Sequence, residues 1–188
     1  MKKISILALA CMLAACAHYS LAPEGAHTVQ GMSFVSTTDW NKSSLRSGAK
    51  SEVWTKDGER LNQLTFIGGI KDGQTIFTSR SKELPMPEFR ANMLPNELME
   101  LVVTSLKNSS GGELVIDATN LRPQRLQGSI GFRFDMSYYD SNGLARRADC
   151  IMVKKDDRLN LIIFSAAGMH YYPKEAAEVD SIFSSLQL

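Results

Sequence analysis

The chain has 188 residues, 44% of them hydrophobic and 22% charged, with a formal net charge of +1. That balance excludes a disordered chain and suits one folded domain of ordinary size plus a leader. The near-neutral total leaves no electrostatic case for nucleic acid or an anionic membrane surface as partner. The N-terminus opens on Met1-Lys2-Lys3, a short positive stretch. An apolar run from Ile4 to Ala15 follows, broken by Ser5 and containing Cys11. That length suits the apolar region of a secretory signal and falls short of the roughly 20 residues that span a bilayer. Cleavage of residues 1–15 would remove Lys2 and Lys3 and take the net charge from +1 to −1.

Leu13-Ala14-Ala15-Cys16 resembles the lipobox of bacterial lipoprotein precursors. The resemblance implies a signal peptide over residues 1–15, cleavage between Ala15 and Cys16, and a diacylglyceryl group on the Cys16 sulfur. Cys11 is the rival, but Ala8 stands three residues before it in place of a larger aliphatic, and its apolar region would shrink to about seven residues. An ordinary cleaved signal with an incidental cysteine is the other alternative. Two acyl chains anchor stably where one holds marginally. The implied location is the cell envelope, bound to membrane through the N-terminal lipid. Ala17 resembles the sorting pattern for the outer membrane, facing the periplasm, if the source is Gram-negative.

Residues 16–31 read as a lipidated N-terminus and tether, because AHYSLAPEGAHTVQG mixes small, polar, Pro and Gly residues without period. His18 and His27 lie there without a third ligand, so no metal is expected. A single globular domain is expected over 32–188. Strands are expected at Met32–Val35, Glu52–Thr55 and Leu61–Ile67. The two Lys-Asp-Gly tripeptides, at 56–58 and 71–73, are turn signals. Residues 81–95 form a Pro- and Met-bearing loop. It leads into a helix that starts at Pro95, with Leu98, Leu101, Val102 and Leu106 on one face.

Ile130, Phe132, Phe134, Met136 and Tyr138 alternate with smaller or polar residues, which predicts a strand with one buried face. Asp140-Ser141-Asn142-Gly143 turns the chain. Leu144–Val153 returns, Lys154–Arg158 turns again, and Leu159–Ala166 is a third strand. A last helix is expected from Pro173, with Ala176, Val179, Ile182, Phe183 and Leu186 on one face. The fold class is therefore α+β, an antiparallel sheet with helices on its faces. This ending, KKDDR, LNLIIFSAA, GMHYYP and then VDSIFSSLQL, resembles the C-terminal half of PsbP-like domains over roughly residues 113–188. That resemblance implies an α/β/α sandwich and non-enzymatic, accessory roles, and it carries over no catalytic residue.

Motifs for chemistry fail on spacing. Gly128-Ser129-Ile130-Gly131 is no nucleophile elbow. Asp140-x-Asn142-Gly143 puts its glycine fourth where a calcium loop needs it sixth. Cys150 shares strand parity with Ala148 and Met152 and is expected to be a buried apolar residue. No catalytic residue, cofactor or metal is expected. The expected function is a non-catalytic binding or assembly role toward an envelope protein partner. The alternative is a small-ligand binder or hydrolase built on the loop around His170, with Tyr171 and Tyr172 as contacts and the 84–95 loop beside them.

Overall fold

The computed structural model describes residues 19–46, 48, 50–79 and 81–188. The expected signal sequence with Ala15, and also Cys16 and His18, lie outside the described residues. The described elements are β1 (Tyr19–Ala22), β2 (Gly25–Val29), β3 (Met32–Ser36), β4 (Trp40–Ser43), β5 (Ser51–Thr55) and β6 (Asn62–Ile70). Then follow α1 (Pro95–Ser109), β7 (Ile116–Leu126), β8 (Ser129–Tyr139), β9 (Ala145–Lys155), β10 (Arg158–Ala167) and α2 (Tyr171–Ser185). Eight strands form one antiparallel sheet in the order β1-β4-β5-β6-β10-β9-β8-β7, and β2 and β3 form a separate hairpin.

The C-terminal meander follows from local turn chemistry. The Asp140 carboxylate accepts from the backbone N–H of Asn142 (2.9 Å) and Leu144 (3.1 Å), closing the β8–β9 turn. Asp156 and Asp157 both take positive φ between β9 and β10, a conformation that aspartate tolerates and a two-residue hairpin requires. The meander meets the N-terminal strands where β10 pairs with β6. β10 lies mid-sheet and is covered on both faces, which is why LNLIIFSAA reads as a continuous apolar run.

Neighbouring residues of β10 enter two different cores. Leu161 and Ile163 face α1, together with Phe134, Cys150, Leu98, Leu101 and Val102. Ile162 and Phe164 face α2 and the β2–β3 hairpin, together with Trp54, Phe66, Val179, Ile182 and Phe183. The sheet is thus sandwiched between α1 on one face and α2 on the other. Helix α1 starts at Pro95 as expected, and the Leu94 N–H donates to the Glu97 carboxylate at 2.6 Å. Helix α2 starts at Tyr171, two residues before the proline expected to begin it. Cys150 is fully buried, as its parity predicted, and burial pushes its thiol up well above the ordinary range.

Two expectations are corrected, and one strand was not expected. The stretch read as a tether is strand from Tyr19 onward: β1 pairs with β4, β2 pairs with β3, and Ala22 and Val29 are core residues. Short strands of small and polar residues carry little period, and tertiary pairing overrides it. β8 keeps its expected buried face, with Phe134 and Met136 under α1, but Ile130, expected on that face, is exposed, and on the other side Arg133 lies beneath α2. β7 had no expectation at all, because Pro123 and its polar run argue against a strand. It is an edge strand with a register shift between Thr119 and Arg122, the position where proline and bulges are tolerated.

Candidate functional site

The α1 helix does not cover its face of the sheet completely. Beside its C-terminal half lies a cavity of about 280 Å³. Its walls are apolar, from Val53, Phe77, Leu106, Met136 and Ile163, and its floor is polar, from Gln63, Thr65, Tyr138 and Ser165. A second, wider depression of about 720 Å³ shares Glu59, Gln63 and Tyr138 with it and runs out past Val115, Tyr139 and Asp140.

Strand parity builds the polar floor. On β9, Arg146 takes the same side as Ala148 and Cys150, so its long side chain lies on the α1 face and is buried to 6% exposure. Its Nε donates to Ser165 Oγ at 3.2 Å, Nη1 to the Arg60 carbonyl at 2.6 Å, and Nη2 to the Ser165 carbonyl at 3.3 Å. The Asp140 carboxylate stands 3.9 Å from Nη1. Ser165 Oγ and the Tyr138 hydroxyl share a hydrogen bond of 2.7 Å. At the rim, the Glu59 carboxylate accepts from the Tyr19 hydroxyl at 2.6 Å and from the Ser43 hydroxyl. That bond to Tyr19, more than desolvation, raises the Tyr19 phenol above its usual range. Tyr138, Ser165 and Arg146 satisfy one another, so this part of the site is held in shape before anything binds.

The opposite face carries a different arrangement. Arg133 pairs with Asp149, and with Asp180 of α2 at 2.5 Å. Burial pushes the Asp149 carboxyl up, against the pull of Arg133. Arg147, the neighbour of Arg146 but of opposite parity, lies 4.4 Å over the Tyr172 ring. These groups tie α2 to the sheet.

The residues expected at a ligand site fall on this second face. His170 is exposed at the N-cap of α2, edge-on to Tyr171 with ring centroids 5.0 Å apart. Tyr172 packs on Phe164 at 5.5 Å. The 84–95 loop, by contrast, packs Met86 and Phe89 into the α1 core. The sheet therefore separates the two segments that were expected to form one site. The cleft itself was not foreseen. Its one sequence signal is Arg146 standing at the same strand parity as Ala148, Cys150 and Met152. Among the described residues no group of three His, Cys, Asp or Glu side chains is placed to hold a metal.

No protein-family model matches the chain, and comparison with curated protein sequences gives no match. Solved structures do match. The solution structure of CyanoP, the cyanobacterial PsbP of Synechocystis sp. PCC 6803, aligns with a TM-score of 0.61 at 13% identity, over 94% of this chain and 99% of that one. A point mutant of the protein Mog1 aligns with a TM-score of 0.52 at 9% identity, over 88% of this chain and 96% of that one. LpqN of Mycobacterium tuberculosis, described as involved in cell envelope biogenesis, aligns more weakly, with a TM-score of 0.37 at 11% identity over 91% of this chain and 78% of that one. An eight-stranded antiparallel sheet between two helices, matched over nearly the whole length of CyanoP, is a PsbP-like fold.

Proposed function

We propose that this protein is a bacterial envelope lipoprotein, anchored through lipid on Cys16, whose domain binds a partner protein at the α1-face cleft and does no chemistry there. The observation that carries the binding role is the hydrogen-bonded pair of Tyr138 and Ser165 beneath apolar walls, fixed by Arg146 where the wider depression begins. Their hydrogen-bonding groups are spent on holding shape, which suits recognition by complementarity. The anchor rests on the Leu13–Cys16 lipobox, and β1 beginning at Tyr19 leaves the domain close to that anchor.

Photo-crosslinking residues at Leu45 and Thr78, on the cleft wall, test this in intact cells. The expected result is capture of the same envelope protein from both positions and no capture from Ile130. Equal capture from all three, or none from any, would overturn the reading. Cys16→Ser is expected to abolish acyl labelling and release the protein from membranes; labelling that persists and depends on Cys11 would move the anchor. A second reading, a small-molecule binder, is favoured by the cavity volume, which lies near the lower bound of about 300 Å³ for ligand pockets. Native mass spectrometry of the purified protein would then show a bound mass, lost when Ser165→Leu fills the floor.

A further inference from the structure

The polar floor of the α1-face cavity has two halves. Tyr138 and Ser165 spend their hydroxyls on each other. Gln63 and Thr65 do not. Both share the parity of Ile67 on β6, so both turn toward the α1 side of the sheet. Thr65 is 5% exposed, yet among the described residues neither its hydroxyl nor the Gln63 amide has a hydrogen-bond partner. The described side-chain atoms sealed in the interior without a partner are Trp40 Nε1 and Ser105 Oγ. The Thr65 hydroxyl is not among them, because it opens into the cavity it lines. Around it stand Val53, Met136, Ala148 and Ile163, all buried and apolar. The charged liners lie further out: Arg46 is exposed and Glu59 is half-buried.

This lining selects its occupant. An amide and a hydroxyl each give and take a hydrogen bond, and a peptide group does the same. An ionised group at that depth would be buried without an opposite charge. The cavity, at about 280 Å³, falls short of the roughly 300–1,000 Å³ that encloses a whole drug-sized ligand. It suits one anchor side chain, and the rest of the bound molecule continues outside. The wider depression supplies the path, since it shares Glu59, Gln63 and Tyr138 with the cavity. That path leads to Val115 and Tyr139, which are 83% and 69% exposed and are set side by side by the pairing of Ile116 with Tyr138. Its acidic liners are Glu59, Glu113 and Asp140. Its basic liner, Arg146, is 6% exposed and spends its guanidinium on Ser165 and the Arg60 carbonyl. We infer that the cleft binds an extended segment of the partner protein, with an aliphatic anchor residue in the cavity and a lysine or arginine over Glu113 and Asp140. The peptide group of the anchor residue meets Gln63 and Thr65, and its neighbours cross Val115 and Tyr139. The inference rests on the partner-binding reading and adds the chemistry of the segment that is bound.

The test is fluorescence anisotropy with the purified full chain and labelled, end-blocked hexapeptides. Two probes carry a leucine followed, or preceded, by two lysines in an alanine background. Their controls exchange the leucine for alanine, or the lysines for glutamates. The expected result is that one leucine–lysine peptide binds and that either exchange weakens it by about tenfold or more, as for an anchor residue. Thr65→Val keeps the shape of the side chain and removes its hydroxyl. It should weaken that peptide several-fold without lowering the urea midpoint. Glu113→Lys, an exposed change, should weaken the lysine peptide and strengthen its glutamate control. Leucine–lysine peptides that bind no better than their controls, or that are indifferent to both variants, overturn the inference. If the same partner is still captured from Leu45 and Thr78 in cells, the partner-binding reading stands without it. If that capture fails as well, both fall.

Discussion

Glu178 shows how one side chain joins distant parts of the chain. It projects from α2 with 8% exposure and accepts from Ser36 Oγ and the Thr37 N–H, both at 3.0 Å, and from the Thr37 hydroxyl. Burial alone would raise its carboxyl, but the Thr37 and Ser36 donors pull it below the ordinary carboxylate range. An acid depressed in the folded state contributes stability above its unfolded value and loses it as pH falls through the folded one. Glu178→Gln should therefore cost about 2 kcal/mol at neutral pH, and the gap to the parent should close toward strongly acid pH. Urea titrations at both ends of that range measure it. Gly68 makes a contact of the steric kind. A Cβ there would meet the Gln30 carbonyl at 2.1 Å, so the β2–β3 turn sits directly on the β6 backbone. Gly68→Ala should cost about 1–3 kcal/mol through overpacking, read as a lower urea midpoint. Neither partner was legible in the sequence, since Gln30 and Gly68 stand far apart in the chain and no local pattern reports a long-range approach. Cys150 was legible, because strand parity alone put it with Ala148 and Met152.

Among the elements, α2 is held by polar groups as much as by its apolar stripe. Val179, Ile182 and Phe183 fill the core, while Arg133 reaches Asp149 and Asp180 and stacks 5.0 Å from the Phe183 ring. Arg133→Ala leaves the Asp149 carboxylate buried without its guanidinium. Its expected cost is about 3–5 kcal/mol, whereas replacing Arg133 and Asp149 together with Met and Leu should recover most of it. Chemical denaturation of both variants distinguishes the two outcomes. The stripe of α2 and the alternation of β8 could be read from period alone, because each is a local repeat of residue types. The polar network could not, because Arg133, Asp149 and Asp180 come from three elements. The cleft was hidden for the same reason: Tyr138, Arg146 and Ser165 lie on three strands whose register only the folded sheet determines. β1 and β2 escaped notice because their residues make strands by pairing rather than by propensity.

At the scale of the molecule, one sheet serves two cores. Within the sheet, the N-terminal strands β4, β5 and β6 join the C-terminal meander through the β6–β10 ladder, with Ile162 and Ile163 turned to opposite helices. Loss of either core would strip one face of the same strands. Unfolding should therefore be a single transition. Fluorescence of Trp40 and Trp54, both buried on the α2 face, should coincide with far-ultraviolet circular dichroism across a urea series. A Leu101→Ala variant, altered on the other face, should shift both curves equally, by about 2–5 kcal/mol.

The interrupted outer strand β7 acquires a further meaning under the proposed lipid anchor. Lipid-held proteins diffuse in two dimensions, share one orientation and meet edge to edge far more often than molecules in solution. Under that confinement an unbroken row of open backbone groups would template side-by-side ribbons across the membrane. Pro123 and the slip after Thr119 break the row in mid-strand. If the chain is held by lipid as proposed, a neighbour arriving in the same orientation would find no continuous ladder to extend.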